Sequence, residues 1–319
     1  MRVAVVGGGF AGLALCWHLL QRRVFVDLYE QEGIGAGASG VSSGLLHPYA
    51  GEQVRRSFQA TEAIEETKKL LWLAQNFSKE KVADFSGVLR RVSPKQLATF
   101  FSHAKTYQDV QILSEEEVFI SSGITVHSKA YLLGLYEACL QKGLSLHLSK
   151  IDSFQALESY DYFFLALGFG IFSFSGLPKM HLSKVKGQTL ICKWPFSPLQ
   201  KPILGKGHIV PLSNEQKVHL GATYERSFQD SSPCIESALS LLKPQARQLY
   251  PAWKEIEVFE CRSGVRIVRP GYAVPWIHKV HEKGWALTAM GSRGLLYHAY
   301  YAKQLVDMEI GRASCRERV

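Results

Sequence analysis

One short stretch limits what this chain can fold into more than any other. Gly7-Gly8-Gly9-Phe10-Ala11-Gly12 fits the pattern G-x-G-x-x-G. It follows the apolar run Val3–Val6, which reads as a buried parallel strand, and opens a stretch of helical spacing from Ala11 to Arg22. Val24–Tyr29 reads as the next strand, and the acidic Glu30 closes it. The parts have separable physical roles. Gly7 permits a tight turn, Gly9 lets the backbone approach a pyrophosphate, and Gly12 lets the helix pack close to the strand. The helix N-terminus offers backbone N–H groups and a partial positive charge to phosphates. The Glu30 carboxylate can accept hydrogen bonds from ribose hydroxyls. The whole predicts a Rossmann-type βαβ unit holding a dinucleotide.

The next segment narrows the cofactor. Glu30, where a basic residue would be needed for a 2′-phosphate, disfavours NADP. The loop Gly35-Ala36-Gly37-Ala38-Ser39-Gly40-Val41-Ser42-Ser43-Gly44 follows directly. A simple NAD domain has no need of it. FAD is longer, and small residues let backbone groups approach it well beyond the pyrophosphate. The sequence therefore predicts FAD.

At 319 residues the chain exceeds the size of one ordinary core, so two domains are expected. Helical spacing is read over Gln53–Gln75, Pro94–Lys105, Lys129–Lys142, Ile235–Tyr250 and Gly294–Met308. Strands are read at Phe85–Val92, Gly123–His127, Leu144–Leu148 and Tyr162–Leu167. Short β-like runs follow at Thr189–Trp194, Gly207–Pro211 and Lys217–Gly221, then Glu255–Val268 and Trp285–Ala289. The expected class is α/β, α+β overall: a Rossmann-like FAD-binding domain interrupted by a mixed β-sheet substrate domain. Residues 1–84, 123–184 and 284–308 are assigned to the discontinuous FAD domain, and 85–122 and 185–283 to the substrate domain.

Some classes are disfavoured. The six cysteines are scattered, which argues against a zinc site or a disulfide framework, and no metal is expected. No charged n-region, apolar core and cleavage site open the chain, and Val3–Leu20 is broken by glycines and His18. A cytoplasmic protein with no membrane span is expected. The net charge of +9 suits an anionic partner but is spread along the chain. The final residues Glu309–Val319, EIGRASCRERV, look like a translated sequencing adapter, so 309–319 are expected to be a non-native tail.

The fingerprint with Glu30, the loop Gly37–Gly40 leading to Gly44-Leu45-Leu46-His47-Pro48, the segment from Gly123 to Ala166-Leu167-Gly168, Val185-Lys186-Gly187-Gln188 and Gly291-Ser292-Arg293-Gly294-Leu295 together resemble the D-amino-acid oxidase superfamily of flavoenzymes. The resemblance runs along most of the chain. Leu220–Arg226 and Ser263-Gly264-Val265-Arg266 are more similar to its tRNA-modifying branch, which finishes 5-methylaminomethyl-2-thiouridine. The chain departs from the family pattern at bulky Pro275-Trp276-Ile277-His278 and at Met290.

The resemblance implies FAD, with Ser39 and Gly40 near the pyrophosphate. It implies Ser42, Ser43, Gly44 and Leu45 along the isoalloxazine, and Gly291, Ser292, Arg293, Gly294 and Leu295 at the flavin's other end. It implies oxidation of an amine next to a carboxylate, by hydride transfer to flavin N5 and hydrolysis of the imine, with dioxygen or another electron acceptor. The substrate is then an N-substituted glycine, with the carboxymethylaminomethyl group of a tRNA wobble uridine preferred. Free glycine, sarcosine or a D-amino acid is the alternative, and a non-catalytic flavin-binding interaction subunit is a third. A substrate carboxylate calls for a planar bidentate cation. Arg266 lies in the strand matching the family's substrate arginine, with Arg262 and Arg269 as rivals. Arg293 stands at the flavin or the substrate mouth, and His47 at the flavin face, where it could move a proton. Tyr49 and Tyr297 are candidate pocket walls or core residues. Oligomeric state is left open.

Overall fold

The apolar run near the N-terminus is the middle strand of a parallel sheet, sheltered on both faces, which is why it needs no polar alternation. The computed structural model describes residues 1–213 and 216–316. Along the chain, β1 (Arg2–Val6) passes through the glycine turn into α1 (Phe10–Leu20) and β2 (Phe25–Glu30). The small-residue loop leads to β3 (Leu45–Leu46), α2 (Ala60–Gln75), β4 (Ala83–Asp84), β5 (Val88–Arg91) and α3 (Pro94–Thr106). Then come β6 (Val110–Ile112), β7 (Glu117–Ile120), β8 (Ile124–Val126), α4 (Ser128–Gln141), β9 (Ser145–Leu148) and β10 (Tyr162–Leu165). The β-rich stretch holds β11 (Ser183–Lys193), β12 (Ile203–Leu204), β13 (His208–Pro211) and β14 (Lys217–Gly221). It is followed by α5 (Ile235–Leu249), β15 (Val258–Val268), β16 (Trp276–His281), β17 (Gly284–Thr288) and α6 (Gly294–Arg316).

The first sheet has the order β16-β17-β10-β1-β2-β9. Its strands are parallel except for β16, which pairs antiparallel with β17 at the edge. Because β2 and β10 lie on opposite sides of β1, the carboxyl end of β1 opens onto a crevice where α1 begins, the usual ligand position in such sheets. Val3, Val5 and Leu28 share a core with Leu13, Leu15 and Leu19 of α1 and with residues of α2, α4 and α6. Ala4, Val6 and Leu165 point the other way, onto Leu157, Tyr160 and Phe174.

The second sheet has the order β15-β11-β14-β13-β12-β5-β7-β6 and is antiparallel except between β12 and β5. Strand period two gives it two unlike faces. Leu190, Cys192, Val218, Leu220 and Ile209 pack under Leu242, Ala246 and Leu249 of α5, together with Trp253. The opposite face is set by register: Thr189 lies across from Arg262 and Gly221, Gly187 from Gly264, His208 from Gly221 and Leu204, and Leu204 from Arg90. That face carries arginines and histidines, and it looks toward the small-residue loop. A third, three-stranded sheet, β3-β8-β4, ties the end of that loop to the strand before α4.

The helix read from Gln53 starts instead at Ala60. Val54 and Gln59 both hold φ of 47°, outside the helical region, and Arg56 is drawn away to Tyr49 and Asp109. The short strands β6, β7 and β12 and the edge strand β16 were not singled out by pattern. Each is held by partners distant in sequence or by a hairpin rather than by a long alternation of its own. Of the segment Glu309–Val319, the residues to Arg316 continue α6, and 317–319 lie outside the described residues. Among the described residues no helix is long and apolar enough to cross a membrane.

Candidate cofactor and substrate site

The glycine turn is as tight as its sequence requires. Gly7 has φ +111° and donates its N–H to Tyr29 O at 2.8 Å, which ties the turn to β2. A methyl group on Gly12 would overlap the Gly7 carbonyl, and one on Gly7 would overlap the Ala166 carbonyl of the chain leaving β10. These are backbone obstacles that no rotamer can relieve. Gly9 caps α1 with no side-chain bond, and no acidic residue occupies the first turn. The positive end of α1 is therefore kept for an anion. Glu30 accepts the Gly8 N–H at 2.6 Å and the Glu32 N–H at 3.1 Å, so its carboxylate is held at the mouth of the turn.

The small-residue loop folds back on that helix end. The Gly35 N–H donates to Gly8 O at 3.0 Å, and Phe10 N–H donates to Ser39 Oγ at 3.1 Å. A Cβ on Gly40 would strike the Gly35 carbonyl, and one on Gly44, at φ +79°, would strike the Val126 carbonyl. Gly44 O accepts the Val126 N–H at 2.7 Å, Ser42 Oγ accepts the Gly44 N–H at 3.2 Å, and Ser42 O accepts from Ser128. Leu45 enters β3 opposite Thr125. The loop is thus a fixed shelf of backbone groups beyond the helix end.

The returning segment closes the same region. Gly291, at φ +53°, abuts Val268 at the end of β15, and Gly294 lies beside Phe10 of α1. Leu295 is buried, and Ser292 is exposed. The Arg293 Nε is buried without a hydrogen-bond partner among the described residues. A long cofactor with phosphates at one end and a polar ring system at the other fits this cradle. It has a helix N-terminus with no acidic residue in its first turn, a carboxylate at the turn, several glycines with no room for a Cβ, and an orphaned guanidinium nitrogen at the far end.

The eight-stranded sheet meets the cradle at Gly264, where a Cβ would press on Val41 Cγ2 at 2.6 Å and Ala38 Cα at 3.0 Å. Arg266, two residues on, lies on the same face of the strand. Its Nη2 donates to Thr223 O at 2.9 Å, its Nε is buried without a partner among the described residues, and the Tyr224 ring lies 5.4 Å from its Cζ. Burial lowers its pKa, because the charged form has lost water. Thr223 is anchored in turn: its hydroxyl accepts the Gln188 N–H at 2.8 Å and donates to Glu225 Oε1 at 2.5 Å. The rivals are engaged elsewhere. Arg262 forms a two-point pair with Glu260 at 2.7 and 2.9 Å, and Arg269 stacks on Tyr272 at 3.7 Å and on Trp276 at 4.5 Å.

Two imidazoles border the site. Ser43 Oγ lies 2.6 Å from His208 Nε2, a bond between the loop and the eight-stranded sheet. Burial, with the Arg266 charge added, holds His208 down to about 4. Burial also holds His47 down to about 3, helped by Arg90, His208 and Arg293, and its Nδ1 is orphaned. Both imidazoles are therefore neutral near pH 7 and weak as bases, and each can accept a hydrogen bond through an unprotonated ring nitrogen. Arg90, 3% exposed, fixes the chain after His47 by donating to Tyr49 O at 2.8 Å and Gly51 O at 3.2 Å. Tyr49 and Tyr297 are core residues: Tyr49 OH donates to Asp109 at 2.7 Å and Tyr297 OH to Phe58 O at 2.8 Å. Sequence reasoning missed His208, Gly187, Arg90 and the Thr223 anchor. Each lies in a strand or motif that was read, but only cross-strand register brings it to the site.

The chain matches the family model "DAO: FAD dependent oxidoreductase" over residues 2–308. It is 26% identical over 374 aligned residues to the tRNA 5-methylaminomethyl-2-thiouridine biosynthesis bifunctional protein MnmC of Vibrio cholerae serotype O1 (strain M66-2), covering 97% of this chain and 55% of that one. The chain spans about half the length of such curated relatives. Glycine oxidase from Geobacillus kaustophilus superposes with a TM-score of 0.82 at 19% identity, over 96% of this chain and 94% of that one. Iminodiacetate oxidase from Chelativorans sp. BNC1 gives 0.81 at 15% identity, over 97% and 95%. At such identities the two structures establish the fold alone.

Proposed function

The chain belongs to the DAO family of FAD-dependent oxidoreductases, and from that premise we propose that it oxidises the amine of an N-substituted glycine. The preferred substrate is the carboxymethylaminomethyl group of a tRNA wobble uridine. The observation that carries the reading is Arg266, a desolvated guanidinium on the sheet face that packs on the cofactor loop, with its Nε orphaned. Such a group is set for a planar anion, and a carboxylate matches its geometry. The similarity to MnmC and the net charge of +9 support a polyanionic carrier for that carboxylate.

In this reading the backbone of Gly7, Gly9 and Gly12 takes the pyrophosphate with help from Ser39 and Gly40, and Glu30 takes the ribose hydroxyls. Ser42–Leu45 and Gly291–Leu295 hold the isoalloxazine. When bound there, FAD would supply the acceptor for the hydride that leaves the carbon between nitrogen and carboxylate, with dioxygen or another oxidant as the final acceptor. Arg266 orients that carbon by clamping the carboxylate. His47 and His208, held neutral by burial, add no positive charge beside the amine and can accept a hydrogen bond from its N–H. Water adds to the carbon of the resulting imine and breaks its bond to nitrogen, which releases the amine and leaves the glycine carbons as glyoxylate.

The test is anaerobic bleaching of the FAD-loaded protein by sarcosine, by glycine and by an anticodon stem–loop carrying 5-carboxymethylaminomethyluridine. Arg266→Ala is expected to keep its flavin spectrum and to lose bleaching by all of them. A variant that bleaches at the normal rate would remove Arg266 from the substrate site. Bleaching by the small amines alone would assign the free amino acid as substrate.

A further inference from the structure

One aromatic side chain stands at the edge of this site with no place in the core. Tyr224 is 54% exposed, while both of its chain neighbours are held: Thr223 by Gln188 and Glu225, and Glu225 by a bridge to Lys186. The backbone beneath the ring is therefore rigid. The ring lies 5.4 Å from the Arg266 guanidinium and 5.6 Å from that of Arg226, which is itself exposed. Just over half of this residue is left to water, and its cation–π partners among the described residues are those two guanidinia.

We infer that Tyr224 is a specificity-determining residue: it stacks on the base that bears the N-substituted glycine, while Arg226 reaches a phosphate of the same polynucleotide. This rests on the reading of Arg266 as the carboxylate clamp. A glycine moiety held by Arg266 has its amine substituent directed outward, past the only ring in contact with that guanidinium among the described residues. A pyrimidine is flat and presents a π-face, so it can stack on a tyrosine whatever its edge groups. Arg226 supplies what a free amino acid has no use for, a second cation outside the carboxylate clamp. A small amine such as sarcosine is too short to reach the ring and the clamp together.

The experiment compares kcat/KM for anaerobic flavin reduction by the modified stem–loop and by sarcosine, in the FAD-loaded wild type, Tyr224→Ala and Tyr224→Phe. Loss of one stacked base is expected to lower the stem–loop to sarcosine ratio by about ten-fold or more in Tyr224→Ala. Tyr224→Phe keeps the ring and is expected to restore the ratio. Arg226→Ala is expected to flatten the salt dependence of the stem–loop reaction alone. An unchanged ratio in Tyr224→Ala, or a Tyr224→Phe variant as impaired as the alanine, overturns the inference. If the wild type is bleached by sarcosine but not by the stem–loop, the tRNA reading falls by itself. Uridine as a competitor of sarcosine then decides the stacking: inhibition that disappears in Tyr224→Ala sustains it, and no inhibition of the wild type overturns it.

Discussion

The guanidinium of Arg266 lies across the bare backbone of Gly187 on the neighbouring strand, so close that a methyl group at Gly187 would overlap Nη2. The missing side chain is what lets the arginine lie down toward Thr223 O rather than stand away from the sheet. Gly187 is thus part of how Arg266 is aimed, although it touches no ligand itself.

Gly187→Ala is therefore expected to cut kcat/KM for a carboxylated amine by roughly ten- to a hundred-fold, as misplacement of an orienting group does. The flavin absorbance should survive. Stopped-flow anaerobic reduction checks this, and normal kinetics would show that Arg266 is aimed by something else.

Arg262 shares the sheet face with Arg266 but is paired with Glu260 at a more exposed position. Exposed pairs contribute little, so Arg262→Ala should change stability by less than about 1 kcal/mol. It should also change kcat/KM less than about three-fold. A loss as deep as that of Arg266→Ala would place the substrate carboxylate toward the other end of the strand.

A methyl group on Gly12 meets the Gly7 carbonyl, which cannot move without opening the turn. Gly12→Ala is expected to yield protein that cannot be reconstituted to a flavin spectrum. Gly37, where a Cβ meets nothing within 4 Å, is the control, and Gly37→Ala should still turn yellow. Titration with FAD at 450 nm separates the two.

Ser43→Ala leaves the His208 imidazole without its 2.6 Å partner. A buried group left unsatisfied costs about 1–3 kcal/mol, so the urea midpoint should fall by that free energy divided by the slope, with the slope itself unchanged. A midpoint equal to the wild type would mean that water replaces the hydroxyl.

His298 is fully buried between Tyr131 OH, at 2.6 Å, and the carbonyls of Gly294 and Leu295. Burial holds it down to about 4, against an ordinary 6.5. The unfolded chain binds a proton below pH 6.5 and the folded protein does so only near pH 4. Its contribution is therefore complete above pH 6.5 and is lost as pH falls toward 4. At pH 5 the loss amounts to roughly 2 kcal/mol. Tm should fall from pH 7 to pH 5, and less steeply in His298→Gln; equal slopes would assign the pH dependence to other groups.

Much of the cofactor half was legible because its signals are local. Gly7, Gly9, Gly12 and Glu30 fall within one βαβ unit, and each is constrained by neighbours a few residues or one strand away. Less of the eight-stranded sheet was legible. The strand Gly207–Pro211 could be read, but not that His208 would meet Ser43, 165 residues away in sequence. Arg262 and Arg266 could be placed on one face by period two, yet only the ion pair with Glu260 separates them. The start of α2 was misread because apolar spacing continues through Val54, while the backbone there has left the helical region.

The sequence by itself determined the dinucleotide turn, the FAD-length loop after it and the return of the chain at Gly291–Leu295. Steric limits on a Cβ and the hand of a βαβ crossover leave few other outcomes for such a string. Only the tertiary structure decided which arginine faces the cofactor loop, which histidine borders it and which ring is left exposed at its mouth. Those outcomes depend on the register between β11, β13, β14 and β15 and on which side chains burial strips of water. Neither is a property of any one segment.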